Sequence, residues 1–204
     1  GTDTFTYKSN DGTFDSNTGT VTTVIAAVDD DPNTVDIVVT TDEDTPIDIT
    51  LSAEEYDGDS YSFSVVSSTT NGTLSLNGSV ATYTPNLNWY GTDSFTFQAL
   101  DDRSIMNIAT ATIAVNPVND APTATGEYIV LDENTSAPVY YLTEDVDGDD
   151  LSIVVVSAPN YGSLDGDIYT PNSGFSGTDL FVYQAFDGEL YSNQASVEFD
   201  VIDV

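Results

Sequence analysis

The 204-residue sequence contains no cysteine and no histidine, and its only basic residues are Lys8 and Arg103. Without cysteine there is no disulfide to support the fold and no thiol chemistry. A Ser-His-Asp or Cys-His catalytic arrangement cannot be assembled from this chain. Acid pairs suited to glycoside hydrolysis are abundant, but abundance alone carries no specificity. The sequence therefore predicts that the protein is not an enzyme.

Basic residues are scarce, whereas acidic residues are frequent. Thirty-five Asp and Glu give a formal net charge of −33. Repulsion of this kind excludes nucleic acid and anionic lipid as partners. No apolar run is long enough for direct membrane insertion, and residue 1 does not open a signal peptide. Bound Ca²⁺ would neutralise the acids, because it prefers carboxylate oxygens; the alternative is a solvated acidic coat, as in halophilic proteins.

Short motifs recur along the chain at a nearly constant spacing. Asp57-Gly58-Asp59 returns 90 residues later as Asp147-Gly148-Asp149, and Gly91-Thr92-Asp93 returns 86 residues later as Gly177-Thr178-Asp179. Another copy of the latter motif, Gly1-Thr2-Asp3, opens the chain 90 residues before Gly91. A fixed period is typical of a repeat array.

The period divides the chain at two joints. One joint is Val118-Asn119-Asp120-Ala121-Pro122, and a weaker one is Asp29-Asp30-Asp31-Pro32. We predict a first complete repeat at residues 32–118 and a second at 119–204. Residues 1–31 would be the C-terminal strands of a preceding repeat, or donor strands. The chain then begins inside a repeat, so we expect it to be part of a longer protein.

The hydrophobic pattern predicts short strands and no helix. Ile47, Ile49 and Leu51 alternate with polar residues, and no segment keeps a 3.6-residue period. In the first complete repeat we expect strands near residues 35–40, 47–52, 61–67, 73–76, 80–84, 93–100 and 108–115. Asn71-Gly72 and Asn77-Gly78 are typical of hairpin turns. The prediction is an all-β fold of tandem immunoglobulin-like β-sandwich repeats joined end to end.

The strongest candidate for a metal site is Asp-Val-Asp-Gly-Asp at residues 145–149. Alternate carboxylates with a glycine at the bend can wrap one hard cation. The loop is not an EF-hand, because Val154 stands where that motif needs Glu. A solvated acidic turn is the alternative. If the sandwiches are joined end to end, four segments would converge on Asn119-Asp120. They are this loop, Asp187-Gly188, the loop at residues 42–44 and the turn before Asp93.

Five motifs in a fixed order carry a resemblance to a known family: Asn71-Gly72-Thr73-Leu74, Tyr83-Thr84-Pro85, Gly91-Thr92-Asp93-Ser94-Phe95, Asn119-Asp120-Ala121-Pro122 and Asp147-Gly148-Asp149. Nearly the whole chain resembles the tandem cadherin-like, immunoglobulin-like repeats of large bacterial surface adhesins. The resemblance implies secretion or a place on the cell surface of a bacterium, rod-like arrays, and calcium stiffening the joints. It also implies that neighbouring repeats are the partners.

By the same resemblance, calcium ligands would come from both sides of the central joint. They are Glu43, Asn119, Asp120, Asp145 and Asp147, with Asp149 and Asp187 as further candidates. At the upstream joint the corresponding residues are Asp30, Asp57 and Asp59. That joint departs from the pattern, because Asp101-Asp102-Arg103 replaces the Asp-Gly turn.

These observations predict a structural segment of an extracellular adhesin or fibre. A variant is a head-to-tail homopolymer in which residues 1–31 add strands to a neighbouring molecule. The alternative is a glycan- or protein-binding sandwich, for which Trp89-Tyr90 is the place to look. Because Trp89 stands at a fixed place before a glycine turn, we expect it to fill the core instead.

Overall fold

A computed structural model of the chain describes residues 1–26, 28, 30–56, 58, 60–101 and 107–204. Two compact units make up the chain, Gly1–Asn116 and Pro117–Val204. The described residues form strands and no helix, which confirms the predicted all-β class. In this part of the chain no helix is long and apolar enough to cross a membrane.

The first two strands form a hairpin with a sheet of its own. β1 (Thr2–Tyr7) pairs antiparallel with β2 (Gly19–Val24). Phe5 and Tyr7 alternate with threonines in β1, and β2 is rich in the β-branched residues Val and Thr.

The rest of the first unit is a β-sandwich. Its strands are β3 (Asn33–Thr34), β4 (Ile37–Asp42), β5 (Ile47–Thr50), β6 (Ala53–Glu54), β7 (Ser62–Ser67), β8 (Gly72–Asn77), β9 (Val80–Pro85), β10 (Gly91–Leu100) and β11 (Ala109–Asn116). One sheet has the order β4-β11-β10-β7 and the other β5-β9-β8, while β3 and β6 pair separately. β4 runs parallel to β11, and the other pairs are antiparallel.

The second unit repeats this architecture. Its strands are β12 (Thr123–Thr125), β13 (Glu127–Asp132), β14 (Ala137–Pro138), β15 (Leu142–Glu144), β16 (Ser152–Ser157), β17 (Gly162–Asp165), β18 (Ile168–Pro171), β19 (Gly177–Phe186) and β20 (Ala195–Ile202). The sheets are β13-β20-β19-β16 and β14-β18-β17, with β12 paired to β15. β13 runs parallel to β20, as β4 does to β11. The predicted tandem sandwich fold is therefore confirmed.

Each core lies between the two sheets of its unit. Alternate residues of a strand face the same side, so Phe95 and Phe97 of β10 both point inward and are fully buried. Phe181 and Tyr183 of β19 do the same in the second unit. Burying a large apolar side chain stabilises the fold by about 1.5–3 kcal/mol. Trp89 packs against the first core, as the sequence predicted.

One predicted turn is wrong. Asn77-Gly78 does lie at the β8–β9 turn, where Gly78 has a φ of +61°. Asn71-Gly72 is not a hairpin turn, because Gly72 is the first residue of β8 and pairs with Pro85. Gly72 is small for a packing reason: a Cβ there would overlap the ring of Tyr83.

A buried carboxylate joins the two sheets of each sandwich. Asp93 accepts hydrogen bonds from the backbone N–H groups of Thr70 (3.1 Å), Asn71 (2.8 Å) and Ser94 (2.8 Å), and from the hydroxyl of Tyr83 (3.1 Å). Burial raises the pKa of Asp93, but these donors outweigh it and leave that pKa below its ordinary value. Burial and the neighbouring carboxylate raise the pKa of Tyr83.

The second unit contains the same arrangement. Asp179 accepts from the N–H groups of Asn160, Tyr161 and Leu180 and from the hydroxyl of Tyr169, each at 2.9 Å. Both aspartates were sequence landmarks to which we assigned no role. Their recurrence beside a Tyr-Thr-Pro motif was the signal that could have identified this role.

Candidate metal centre

The acidic loop at residues 145–149 curls around one of its own carboxylates. Asp145 Oδ1 accepts hydrogen bonds from the N–H groups of Asp147 (2.9 Å), Gly148 (3.0 Å) and Asp149 (3.2 Å). Gly148 allows the bend with a φ of +80°, a conformation that favours glycine. As a result, carboxylate oxygens of Asp145, Asp147 and Asp149 lie within 4.8 Å of one another.

The beginning of the second unit is tied to this loop. The backbone N–H of Asp120 donates to Asp147 Oδ2 at 2.8 Å. Next to it, the side-chain amide of Asn119 donates to Asp187 Oδ2 at 3.0 Å. Asn119 and Asp120 are thus hydrogen-bonded directly to two loops of this unit that carry predicted ligands. That part of the predicted ligand set is Asn119, Asp120, Asp145, Asp147, Asp149 and Asp187.

The electrostatics of the cluster are those of crowded carboxylates. Burial, and then the charges of Asp145, Asp147 and Asp187, raise the pKa of Asp149. The N–H of Leu190 holds the pKa of Asp187 below its ordinary value, with help from Glu189 and Asn119. Asp145 Oδ2 is buried and accepts no hydrogen bond from the described residues. A buried acceptor without a donor is costly, so a cation at this atom fits the site.

The other predicted ligands lie in the first unit. Glu43 follows β4, is buried, and donates its N–H to Asn116 O at 2.9 Å. Its counterpart Glu133 makes the same bond to Ile202 O at 2.8 Å. Asp30 is exposed, whereas Asp57, Asp59 and Arg103 lie outside the described residues.

The first unit has a loop of similar build to residues 145–149. Glu55 Oε2 accepts the N–H of Gly58 at 2.5 Å, as Asp145 Oδ1 accepts that of Gly148. Gly58 has a φ of +84°, close to that of Gly148. The two loops therefore share an acidic acceptor three residues ahead of a glycine.

The fold and the acidic loops define tandem immunoglobulin-like repeats of the cadherin-like kind. The bacterial Ig domain family matches the sequence in two copies, at residues 29–116 and 119–200, and the chain belongs to this family. Membership indicates an extracellular structural or adhesion module. Repeat domains of this kind are generally non-enzymatic.

Among curated proteins, the chain is similar to an integrin beta-like protein C from Dictyostelium discoideum. The two are 33% identical over 85 residues, which is 40% of this chain and 4% of that protein. The chain thus spans only a small fraction of the length of this relative.

Solved cadherin structures are similar in fold. The EC3-6 cis-dimer structure of protocadherin gammaB7 matches with 18% identity and a TM-score of 0.50, covering 91% of this chain and 56% of that one. Mouse cadherin-23 EC22-24 matches with 18% identity and a TM-score of 0.49, covering 98% and 74%. An endo-fucoidan hydrolase of glycoside hydrolase family 107 reaches a TM-score of 0.37 at 17% identity, covering 100% and 34%. That TM-score carries no argument about activity.

Proposed function

We propose that the chain is a structural segment of a bacterial surface adhesin or fibre, whose joints between repeats are stiffened by calcium. The observation that carries the proposal is the acidic cluster of the second unit, in which Asp145 Oδ2 is buried and accepts no hydrogen bond from the described residues. Reach and rigidity, not chemistry, would be the work of such a segment.

Calcium suits the donors better than other common metals. All the side-chain atoms that could bind a metal are oxygens, and the described cluster offers no nitrogen or sulfur ligand apart from amide groups. Ca²⁺ takes about six to eight oxygens in flexible geometry, whereas Mg²⁺ demands near-ideal octahedral geometry and gives up water reluctantly. A loop that supplies three carboxylates within 4.8 Å favours the larger, more tolerant ion.

The remaining ligands are part of the same proposal. Glu43 would add a carboxylate from the first repeat, as the cadherin-like resemblance implies. Asp30, Asp57 and Asp59 would serve the upstream joint. The predicted division into residues 1–31, 32–118 and 119–204 belongs to the proposal as well, with the first segment either completing a preceding repeat or adding strands to a neighbouring molecule in a head-to-tail polymer.

Thermal unfolding tests the calcium proposal directly. A ligand that binds only the folded state stabilises it by RT ln(1 + [L]/Kd). Extracellular modules bind Ca²⁺ with a Kd of about 10⁻⁴–10⁻³ M, so about 10 mM Ca²⁺ should add roughly 1.4–2.7 kcal/mol. For a domain of this size that raises the Tm of the second unit by about 6–20 °C. Equal concentrations of Mg²⁺ should give a much smaller rise.

Matched variants locate the effect. Asp147→Asn keeps the shape and the acceptor for Asp120 N–H but removes a charge, so most of the calcium-dependent rise should vanish. Asp165→Asn, an exposed acid of β17 outside the cluster, should retain the full rise. If the unsubstituted chain has the same Tm in EDTA and in Ca²⁺, the calcium proposal is wrong. The acidic residues would then be exposed, solvated side chains without a bound ion.

A further inference from the structure

The β1–β2 hairpin has the same register as the last two strands of both sandwiches. Asp3 pairs with the residue twenty positions later in the chain, and so do Asp93 and Asp179. The side chains that follow also correspond, because Phe5 and Tyr7 stand where Phe95 and Phe97 stand in β10. The hairpin is therefore built as the final hairpin of a repeat.

In this hairpin, the face that corresponds to the buried face of β10 is exposed to solvent. Phe5 is 59% and Tyr7 56% exposed, whereas Phe95 and Phe97 are both 0% exposed. Leaving two aromatic side chains in water forgoes the stabilisation that their counterparts obtain from burial. The face that bears Phe5 and Tyr7 therefore corresponds to one that a second sheet covers in the complete sandwiches.

The polar part of this face also has fewer partners than its counterparts. Asp3 accepts the N–H of Thr4 at 2.8 Å, as Asp93 accepts that of Ser94. Among the described residues Asp3 has no tyrosine hydroxyl and no loop amides as donors, although Asp93 and Asp179 each have both. By comparison with Asp93 and Asp179, Asp3 lacks three hydrogen-bond donors in the described part of the chain: one hydroxyl and two adjacent backbone N–H groups. A segment that covers this face would have to supply them.

We infer that the hairpin of residues 1–24 receives a polypeptide segment equivalent to residues 33–90, joined directly ahead of Gly1. The segment supplies an antiparallel strand to β1, a parallel strand to β2, and the tyrosine hydroxyl and loop amides to Asp3. The inference rests on the repeat division in the proposed function, and it decides between the two roles left open for residues 1–31.

A second copy of this chain fits less well as the occupant. Its β7 and β4 already pair with its own β10 and β11. Its Tyr83 hydroxyl and its Thr70 and Asn71 amides already donate to Asp93. Another molecule would have to unfold one of its sandwiches to offer the same set of groups.

A graft guided by the repeat period tests the inference. Residues 33–90 are placed directly before Gly1 of the full chain, since Gly91 follows Tyr90 in the first sandwich. Amide hydrogen exchange is measured for β1 and β2 in the polypeptide of residues 1–204 with and without the graft. We expect protection in the graft to rise at least roughly 100-fold, towards that of β10 and β11.

Asp3→Asn supplies the matched control. It should reduce the protection of β1 and β2 in the graft at least roughly 10-fold and leave their exchange unchanged in the polypeptide of residues 1–204 without the graft. Unprotected β1 and β2 in a graft whose β10 and β11 remain protected would overturn the inference. Protection that rises with concentration in the ungrafted polypeptide, together with dimers in sedimentation, would also overturn it, because a second copy would then be the occupant.

Failure of this inference can be told apart from failure of the calcium proposal. The calcium-dependent rise in Tm depends on Asp147 in the second unit, whereas the exchange of β1 and β2 is measured in EDTA. Each measurement can therefore fail while the other succeeds.

Discussion

At the scale of single residues, Asp93 and Asp179 are the polar centres of the two sandwiches. Each is buried and accepts hydrogen bonds from backbone N–H groups and one tyrosine hydroxyl, and Asp93 accepts a further one from the Thr70 hydroxyl. Hydrogen bonds to a charged group contribute about 1.5–3 kcal/mol each, more than bonds between neutral groups. These aspartates fix the loop before β8 or β17 against the opposite sheet.

We predict that Asp93→Asn lowers the free energy of unfolding of the first unit by about 3 kcal/mol. The amide would place an N–H₂ group against donors that need an acceptor. Urea unfolding followed by the fluorescence of Trp89, the one tryptophan, reports on this unit. Asp48→Asn, on an exposed position of β5, should change the midpoint very little. A loss below about 0.5 kcal/mol for Asp93→Asn would refute the structural role.

Asp93 also predicts a pH dependence. Its pKa is lowered in the folded state, so its contribution is complete above the unfolded pKa of about 3.9 and is lost as the pH falls through the folded value. We expect the stability of the first unit to decline below about pH 4. Asp93→Asn should show a shallower decline in urea unfolding across that range. Parallel declines for the two proteins would contradict the assignment.

At the scale of elements, the start of β8 depends on a glycine. The ring of Tyr83 lies over Gly72, and in the second unit the ring of Tyr169 lies over Gly162 in the same way. The glycine brings β8 close enough for the tyrosine hydroxyl to reach the buried aspartate. Packing and the polar centre are thus one arrangement.

Gly72→Ala should therefore destabilise the first unit by about 3 kcal/mol, because the methyl group meets an aromatic ring and backbone in a packed interior. Gly78→Ala is the matched control. It meets no atom within 4 Å and should cost only about 1 kcal/mol for its positive φ. Trp89 fluorescence in urea measures both. Equal losses would show that the Tyr83 ring moves aside for the methyl group and does not set the requirement at Gly72.

The edge strands β7 and β16 are protected by irregular pairing. Neither strand contains a charged residue, and uncharged edges invite pairing with other chains. The register against β10 shifts at Val66, and the register against β19 shifts at Val156, the same place in both units. A β-bulge bends the edge and makes it a poorer template.

At the scale of the whole molecule, the net charge of −33 opposes compaction. Among the described acids only Glu43, Asp93 and Asp179 are buried, and the others are exposed or half-buried. Salt screens repulsion between exposed charges, since the Debye length falls from about 30 Å at 0.01 M to about 3 Å at 1 M.

We predict that raising NaCl from about 0.02 M to about 0.5 M in EDTA raises the Tm by several degrees. Circular dichroism measures the transition. Choline chloride at equal ionic strength should give a similar rise, because screening does not depend on the cation. After calcium is added the salt effect should shrink. A Tm that does not change with ionic strength would show that the acids are too far apart to oppose folding.

The sequence alone determined the architecture, because strand period, turn residues and a fixed repeat spacing are local properties that survive without knowledge of contacts. It also identified the acidic loop at residues 145–149 and its neighbours Asn119 and Asp120. Only the tertiary structure decided which landmarks are buried. In the sequence, Asp93 and Asp179 resemble the other acidic residues. In the structure, the hydroxyls of Tyr83 and Tyr169 donate to them from the opposite sheet. The sequence predicted Gly72 as a turn residue, whereas the structure shows the ring of Tyr83 packed over it. Such roles arise from contacts between different strands, and the residue pattern within one strand does not specify them.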